Sequence, residues 1–255
     1  MENVIYRKEG HIAYISLNRP ESRNAINRQL VVELRDVWIN FRDDDDLWVG
    51  ILSGEGKSFC AGADVKEQER GKWKFRQSLI FGDDRLLASN YGVYKPIVGA
   101  VQKHAAGAGM FLALECDVVI ASEDLKFFLP EARVNIPTLT APFITDYMPR
   151  AIATEMLYTG NTLSAQRAYD LGMVNKVVPT ELLMETAEEY ANKILENGPL
   201  ANWAAKELMY RGKDMDLNSQ IALLEHVITP IWNSEDSKEA KLAFVEKRKP
   251  VWKLK

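Results

Sequence analysis

Apolar positions along this chain fall into two rhythms, a short-run rhythm of strands and a three-to-four-residue rhythm of helices. Val4–Tyr6 and Ile12–Leu17 read as strands joined by a hairpin turn at Glu9-Gly10. From Asn27 to Phe41, the residues Leu30, Val31, Leu34, Val37, Trp38 and Phe41 recur at helical spacing. The acidic run Asp43–Asp46 closes that helix as a solvated end rather than a metal site. Trp48–Leu52 and Pro96–Val101 are short apolar runs of the kind that form buried strands, and Asp117–Ala121, Lys126–Leu129 and Val174–Val178 add three more. Between them, Lys66–Tyr94 mixes charge with Trp73, Phe75, Leu79, Ile80, Phe81, Leu86 and Leu87, which predicts helices forming a wall of the site. Thr145–Leu157 and Ser164–Leu171 read as helices, and Thr180–Asn197 as an amphipathic helix with Thr180 at its N-cap. Pro199–Phe244 is almost wholly helical in pattern. Strands alternating with helices, followed by helices alone, predict an α/β core with a helical C-terminal region. Gly198-Pro199 marks the boundary, giving a core over 1–197 and a helical region over 198–255.

Two of the strands run into turns crowded with small residues. After Leu52 the chain reads Ser53-Gly-Glu-Gly-Lys-Ser-Phe-Cys-Ala-Gly-Ala-Asp-Val65, and after Val101 it reaches His104-Ala-Ala-Gly-Ala-Gly109 before an apolar helix. Glycine permits positive φ and close approach of another group to the backbone. Turns of this kind leave N–H groups free to face an anion or a polarised oxygen. Two such turns side by side could pair two N–H donors, the arrangement that holds a thioester oxygen as it gains charge.

The residues themselves carry a resemblance. Gly-Lys-Ser-Phe-Cys-Ala-Gly-Ala-Asp (56–64) and Pro96–Asp117 are similar to the two signatures of the crotonase (enoyl-CoA hydratase/isomerase) superfamily. Asn18–Ile26, Phe128–Arg133, Tyr158–Val174 and Phe244–Pro250 resemble further segments of that family, in order and properly spaced over nearly the whole chain. The resemblance implies a crotonase-like spiral of ββα units, with trimers built by the C-terminal helices and often paired into hexamers. It implies oxyanion donors at the backbone N–H groups of Ala63 and Ala108, and an acid/base at Glu131. For coenzyme A it implies Arg23, Asn24, Ala25, Ala61, Gly62 and Asp64, with Lys247 reaching phosphate, often on a neighbouring subunit.

Three departures stand out. Gly107-Ala108-Gly109 replaces a run of three glycines, which leaves the donor in place provided that Ala108 keeps a negative φ. Ile136-Pro-Thr-Leu-Thr140 replaces a glycine-rich loop. Phe111 stands where a two-glutamate hydratase carries its other glutamate, and a phenyl ring cannot orient water or move a proton. Glu115, one turn deeper on the same helix face, and Asp146 or Tyr147 are weaker candidates for a second polar group. His104 precedes the second turn and is more simply a packing or surface residue, while His11 and His226 have no recognisable partners.

Charge and cysteine content narrow the alternatives. A net charge of −4 and no basic–aromatic stripe argue against nucleic acid as a partner. Cys60 and Cys116 have neither metal-ligand nor disulfide spacing. No stretch approaches a membrane span and the first residues lack a secretory pattern, so a cytoplasmic enzyme is expected. No cofactor is expected beyond the coenzyme A of the substrate itself. Retained Glu131 with Phe111 favours double-bond isomerisation of an unsaturated acyl-CoA. Hydration by Glu131 with a substrate-held water is the alternative, followed by thioester hydrolysis or C–C lysis, and by a catalytically silent CoA-binding scaffold.

Overall fold

The computed structural model describes residues 1–69, 85–138 and 141–255. Strands β1 (Val4–Glu9) and β2 (Ile12–Leu17) form an antiparallel hairpin, with Gly10 turning at φ 54°. Then β3 (Val49–Gly54), β4 (Ile97–Val101), β6 (Val118–Ser122) and β9 (Lys176–Val178) add in parallel, giving the order β1-β2-β3-β4-β6-β9. A second, smaller sheet has the order β5-β7-β8, from His104–Ala106, Lys126–Phe128 and Leu163–Ser164. Two isolated bridges, Ile26 to Ala63 and Cys60 to Ala105, extend the same stacking to earlier parts of the chain. Successive passes of the chain therefore lie over one another in the same order in both layers. That is a spiral of ββα turns, the α/β arrangement that the sequence resemblance implies.

The large sheet is covered on both faces. All six residues of β3 are buried, as a parallel strand between two packed layers requires. Helix α1 (Arg28–Asp43) lays Leu30, Leu34, Val37, Trp38 and Phe41 into the larger core cluster, while α6 (Leu183–Leu195) covers the other face with Leu183, Ala187 and Ala191. The Asn27 side chain caps α1, accepting the Leu30 N–H at 2.8 Å. Buried Glu33 of α1 holds the start of β1, accepting N–H bonds from Asn3 at 2.8 Å and Val4 at 2.9 Å.

The remaining helices are α2 (Val65–Glu69), α3 (Ala108–Leu114), α4 (Arg150–Thr159), α5 (Ala165–Asp170), α7 (Pro199–Gly212), α8 (Leu217–Trp232) and α9 (Glu235–Glu246). A buried cation fastens α7 to the sheet. The Lys206 Nζ lies 2.7 Å from the Asp117 carboxylate, which also takes the Ile97 N–H at 2.7 Å. No helix among the described residues is long and apolar enough to cross a membrane.

Several expectations shift. The helix expected over Thr145–Leu157 is divided, because Pro149 stands between a 3-10 turn at Ile144–Asp146 and α4. Thr180 does not cap α6: Thr180–Leu182 forms a 3-10 turn and the helix follows without a side-chain cap. The strands β5 and β8 are too short to carry a period. The helical reading of Trp73, Phe75, Leu79, Ile80 and Phe81 lies outside the described residues, as do Leu139 and Thr140 of the loop after Ile136.

Burial works to raise the Glu33 pKa, but bonds from Gln29 and the Asn3, Glu2 and Val4 N–H groups outweigh it and hold the carboxyl below its usual value. Those bonds favour the carboxylate, so the stability they give is present above the unfolded pKa and lost as pH falls through the folded one. Glu33→Ala is expected to cost about 2–3 kcal/mol near pH 7, with the gap to the unsubstituted protein narrowing in acid. Denaturant melts at the two pH values check this.

Candidate active site

Two turns meet beyond the ends of β3 and β4, and the backbone itself makes the join. The Cys60 N–H donates to the His104 carbonyl at 3.0 Å, and the Ala106 N–H donates back to Cys60 at 3.0 Å. Gly62 sits at φ 87°, and a Cβ there would lie 2.7 Å from the Ala106 carbonyl oxygen and 3.8 Å from the Ala108 nitrogen. A Cβ on Gly109 would lie 2.7 Å from the Cys60 side chain and carbonyl. Small residues are thus required on both turns by contact, and at Gly62 by its positive φ as well. The Cys60 thiol is fully buried and pushed up to about 12 by that burial, so it fills space rather than reacting.

The turns leave two N–H groups over. The Ile26 N–H donates to Gly62 at 2.7 Å and the Asp64 N–H to Ile26 at 2.9 Å, which fixes the segment around Ala63 without using the Ala63 N–H. Ala108 is the first residue of α3 and keeps a negative φ, and a helix start has no internal acceptor for its first N–H groups. Among the described residues, neither N–H donates a hydrogen bond.

Glu131 follows β7 in a 3-10 turn and points back at this junction. Its Oε1 lies 2.7 Å from where a Gly107 Cβ would stand, with Gly107 at φ 49°. Its Oε2 is buried and, among the described residues, has no hydrogen-bond partner. Burial raises the Glu131 pKa, opposed in smaller measure by its own backbone N–H and the Thr138 side chain. A carboxylate so placed is suited to taking and returning a proton.

A cleft of about 700 Å³ opens beside the first turn, with Arg19, Ala25, Ala61, Ala63, Asp64 and Lys66 on its walls. Arg19 was not singled out by sequence, although it lies within the Asn18–Ile26 segment. Its guanidinium bonds the Ala25 carbonyl and lies 3.1 Å from Asp64, whose carboxylate also accepts N–H groups at the start of α2. Arg23 is exposed at φ 54°, and its carbonyl accepts the Ala61 N–H at 2.9 Å. Burial, then Lys103, Arg23 and Lys126 nearby, lower the His104 pKa, so Arg23 shares a basic patch with those lysines.

Of the expected coenzyme A residues, Ala25, Ala61 and Asp64 line this cleft, and Arg23, Asn24, Gly62 and Lys247 do not. Asn24 is fully buried, and its amide is spent on the carbonyls of Glu55 at 2.9 Å and Ser58 at 2.8 Å and on the Arg19 N–H at 2.8 Å. It is a brace for the loops. Lys247 ends α9 at φ 55° and lines a different cavity with His11 and Trp48, which precede β2 and β3. The residues Ala61–Asp64 follow β3 at its other end, so one chain does not bring Lys247 to them.

Phe111 is one turn along α3 from Ala108. Its ring packs against Phe143 at 5.9 Å and, edge-on, against Tyr147 at 6.2 Å. Glu115 is buried beyond it and accepts the Ser89 N–H at 2.9 Å. Asp146 is paired with Lys213 on an exposed edge.

Gly107→Ala puts a Cβ on both a positive φ and the Glu131 Oε1. It is expected to cost about 1–3 kcal/mol of stability and to push Glu131 outward. Carbon-13 NMR of labelled glutamate carboxyls is expected to show Glu131 titrating above the usual carboxylate range in the unsubstituted protein, and closer to that range in Gly107→Ala.

Comparison with known proteins covers almost the whole chain. The enoyl-CoA hydratase/isomerase family model matches residues 7–255. The (E)-benzylidenesuccinyl-CoA hydratase of Thauera aromatica is 36% identical, with 98% of each chain covered. The short-chain-enoyl-CoA hydratase of Clostridium acetobutylicum is 34% identical over 98% of this chain and 97% of that one. The crystal structure of enoyl-CoA hydratase from Mycobacterium tuberculosis H37Rv superposes with a TM-score of 0.91 at 32% identity, with 99% of each chain covered. The spiral, its paired turns and this unbroken match lead to one conclusion: the chain is an enzyme of the enoyl-CoA hydratase/isomerase family.

Proposed function

We propose that this enzyme moves a double bond within an unsaturated acyl-CoA, using Glu131 as its single proton carrier. The observation that carries the reading is the pairing of one half-buried carboxylate with two unused N–H groups, while Phe111 occupies the place of a second acid. The thioester oxygen is held by the N–H groups of Ala63 and Ala108. Glu131 takes a proton from the carbon beside the carbonyl, and the electron pair moves onto that oxygen as an enolate. Returning the proton to the carbon two bonds further along regenerates the carbonyl and leaves the double bond shifted. No atom is gained or lost.

Coenzyme A lies in the cleft beside the first turn, against Ala25, Ala61 and Asp64, with Gly62 buried behind them and Arg23 and its neighbouring lysines suited to phosphate oxygens. Lys247 contributes from another subunit. That role fits the apolar surface of the C-terminal region 198–255, where Leu217, Ile221, Trp232, Phe244 and Val245 are all exposed. Burying that surface between copies accounts for a homotrimer or a dimer of trimers.

Hydration is the second reading, favoured by the names of the two hydratase relatives. It requires Glu131 to activate a water and also deliver the proton.

Incubation with 2-enoyl- and 3-enoyl-CoA thioesters in deuterated water, followed by mass spectrometry, tests the proposal. A shifted double bond without added water is expected, and gain of one water would replace isomerisation with hydration. Glu131→Gln is expected to abolish either reaction while CoA still binds. Ala108→Pro removes one N–H at a position where proline suits the first turn of a helix. Its turnover is expected to fall by roughly 10²–10³-fold.

Activity is also expected to rise with pH through the Glu131 pKa, because the carboxylate is the form that accepts the proton. Since burial raises that pKa, the rise is expected above the usual carboxylate range. A pH profile of kcat/KM checks this.

A further inference from the structure

A second cavity, of about 680 Å³, is lined by Phe111 and by none of the residues of the paired turns. Its walls come from α3, the turn at Ser89, the turn at Tyr147 and the end of α7. Phe111, Leu114, Phe143 and Met209 make it apolar, and the Phe111 ring meets those of Phe143 and Tyr147 at interplanar angles of 55° and 75°. Tilted and edge-on walls of this kind suit a flat ring, because aromatic pairs prefer those arrangements. The volume is ample for one.

The polar groups in the cavity narrow the occupant further. Burial, then Glu115, Asp146, Cys116 and Asp117, push the Tyr147 hydroxyl up to about 12, so it stays a donor. Among the described residues that hydroxyl makes no hydrogen bond to protein, and it is not sealed in the core, so it is open to an acceptor on an occupant of the cavity. Tyr210, also on the wall, donates to the Glu115 carbonyl at 3.4 Å. Glu115 brings a carboxyl to the back of the cavity and Asp146 another to its rim, the latter paired with Lys213. Asp146 and Lys213 are spent on each other and burial raises the Glu115 pKa, so the cavity offers no free counter-charge to an ionic occupant, while an unused donor suits an acceptor.

Resting on the acyl-CoA reading above, we propose that this cavity receives the acyl end of the thioester and selects an aromatic ring carrying a neutral hydrogen-bond acceptor. Phe111 then has a positive role: it forms the near wall of the ring pocket where a polar side chain would stand. Tyr147 reads the substituent. The acyl group reaches the cavity by passing Phe111, one helical turn from the Ala108 N–H.

Saturated thioesters test this without turnover. Dissociation constants would be measured by titration calorimetry for CoA, butanoyl-CoA, 3-phenylpropanoyl-CoA and 3-(4-methoxyphenyl)propanoyl-CoA. The phenyl thioester is expected to bind roughly tenfold or more tighter than the butanoyl one, from burial of the ring. The methoxy group is expected to add about fivefold, and Tyr147→Phe to remove only that increment. Met209→Trp, at an exposed wall position, is expected to abolish the ring preference while CoA binds unchanged. Equal affinity for butanoyl and phenylpropanoyl thioesters, with CoA bound, would overturn the ring pocket and leave the acyl-CoA reading standing. A ring preference untouched by Met209→Trp, or a methoxy increment untouched by Tyr147→Phe, would overturn this cavity as its source. Failure of CoA itself to bind would overturn both.

Discussion

The contact between two backbone turns is the constraint on which the site depends. Cys60 and Ala105 pair as neighbouring strands do, and that pairing brings Gly62 against the Ala106 carbonyl and Gly109 against Cys60. The spacing is fixed on one side by the parallel register of β3 and β4, and on the other by the short sheet of β5, β7 and β8. Each layer of the spiral is therefore a ruler for the next. The brace from Asn24 to the carbonyls of Glu55 and Ser58 ties the preceding pass of the chain into the same junction. A side chain added at any of these contacts would separate the turns rather than merely crowd them.

That rigidity gives the junction its electrostatic character. The Ala63 and Ala108 N–H groups stay unused because their flanking residues make the structural bonds. Glu131 is held against Gly107 with one oxygen buried and, among the described residues, unpartnered. Unpaired donors and a desolvated carboxyl both cost folding free energy, so the stability must come from elsewhere in the sheet and its two packed faces. A site of this kind is preorganised for charge that exists only during reaction.

Much of this was legible in the sequence, and the limits have physical causes. The α1 period and the buried β3 run declare themselves because burial forces a repeat. The small residues of 60–64 and 104–109 also show, since close approach tolerates little else. The strands β5 and β8 span three and two residues, too short for any period, and Pro149 divides a helix whose apolar spacing runs on across it. Asn24 looks like a ligand contact in the chain and is a buried brace in the fold, because an amide serves either purpose equally well. Lys247 matches its motif, yet a match says nothing of which chain's cleft the side chain reaches. The aromatic cavity beyond Phe111 gathers residues from α3, α7 and two turns, so no single stretch announces it.

The central claim is that two backbone N–H groups are waiting for a thioester oxygen. Infrared difference spectroscopy of butanoyl-CoA labelled with carbon-13 at the carbonyl reads that oxygen directly. Binding to the unsubstituted enzyme is predicted to move the carbonyl stretch to lower frequency than in water, as two fixed donors polarise the bond. A stretch unchanged or raised on binding would contradict the account.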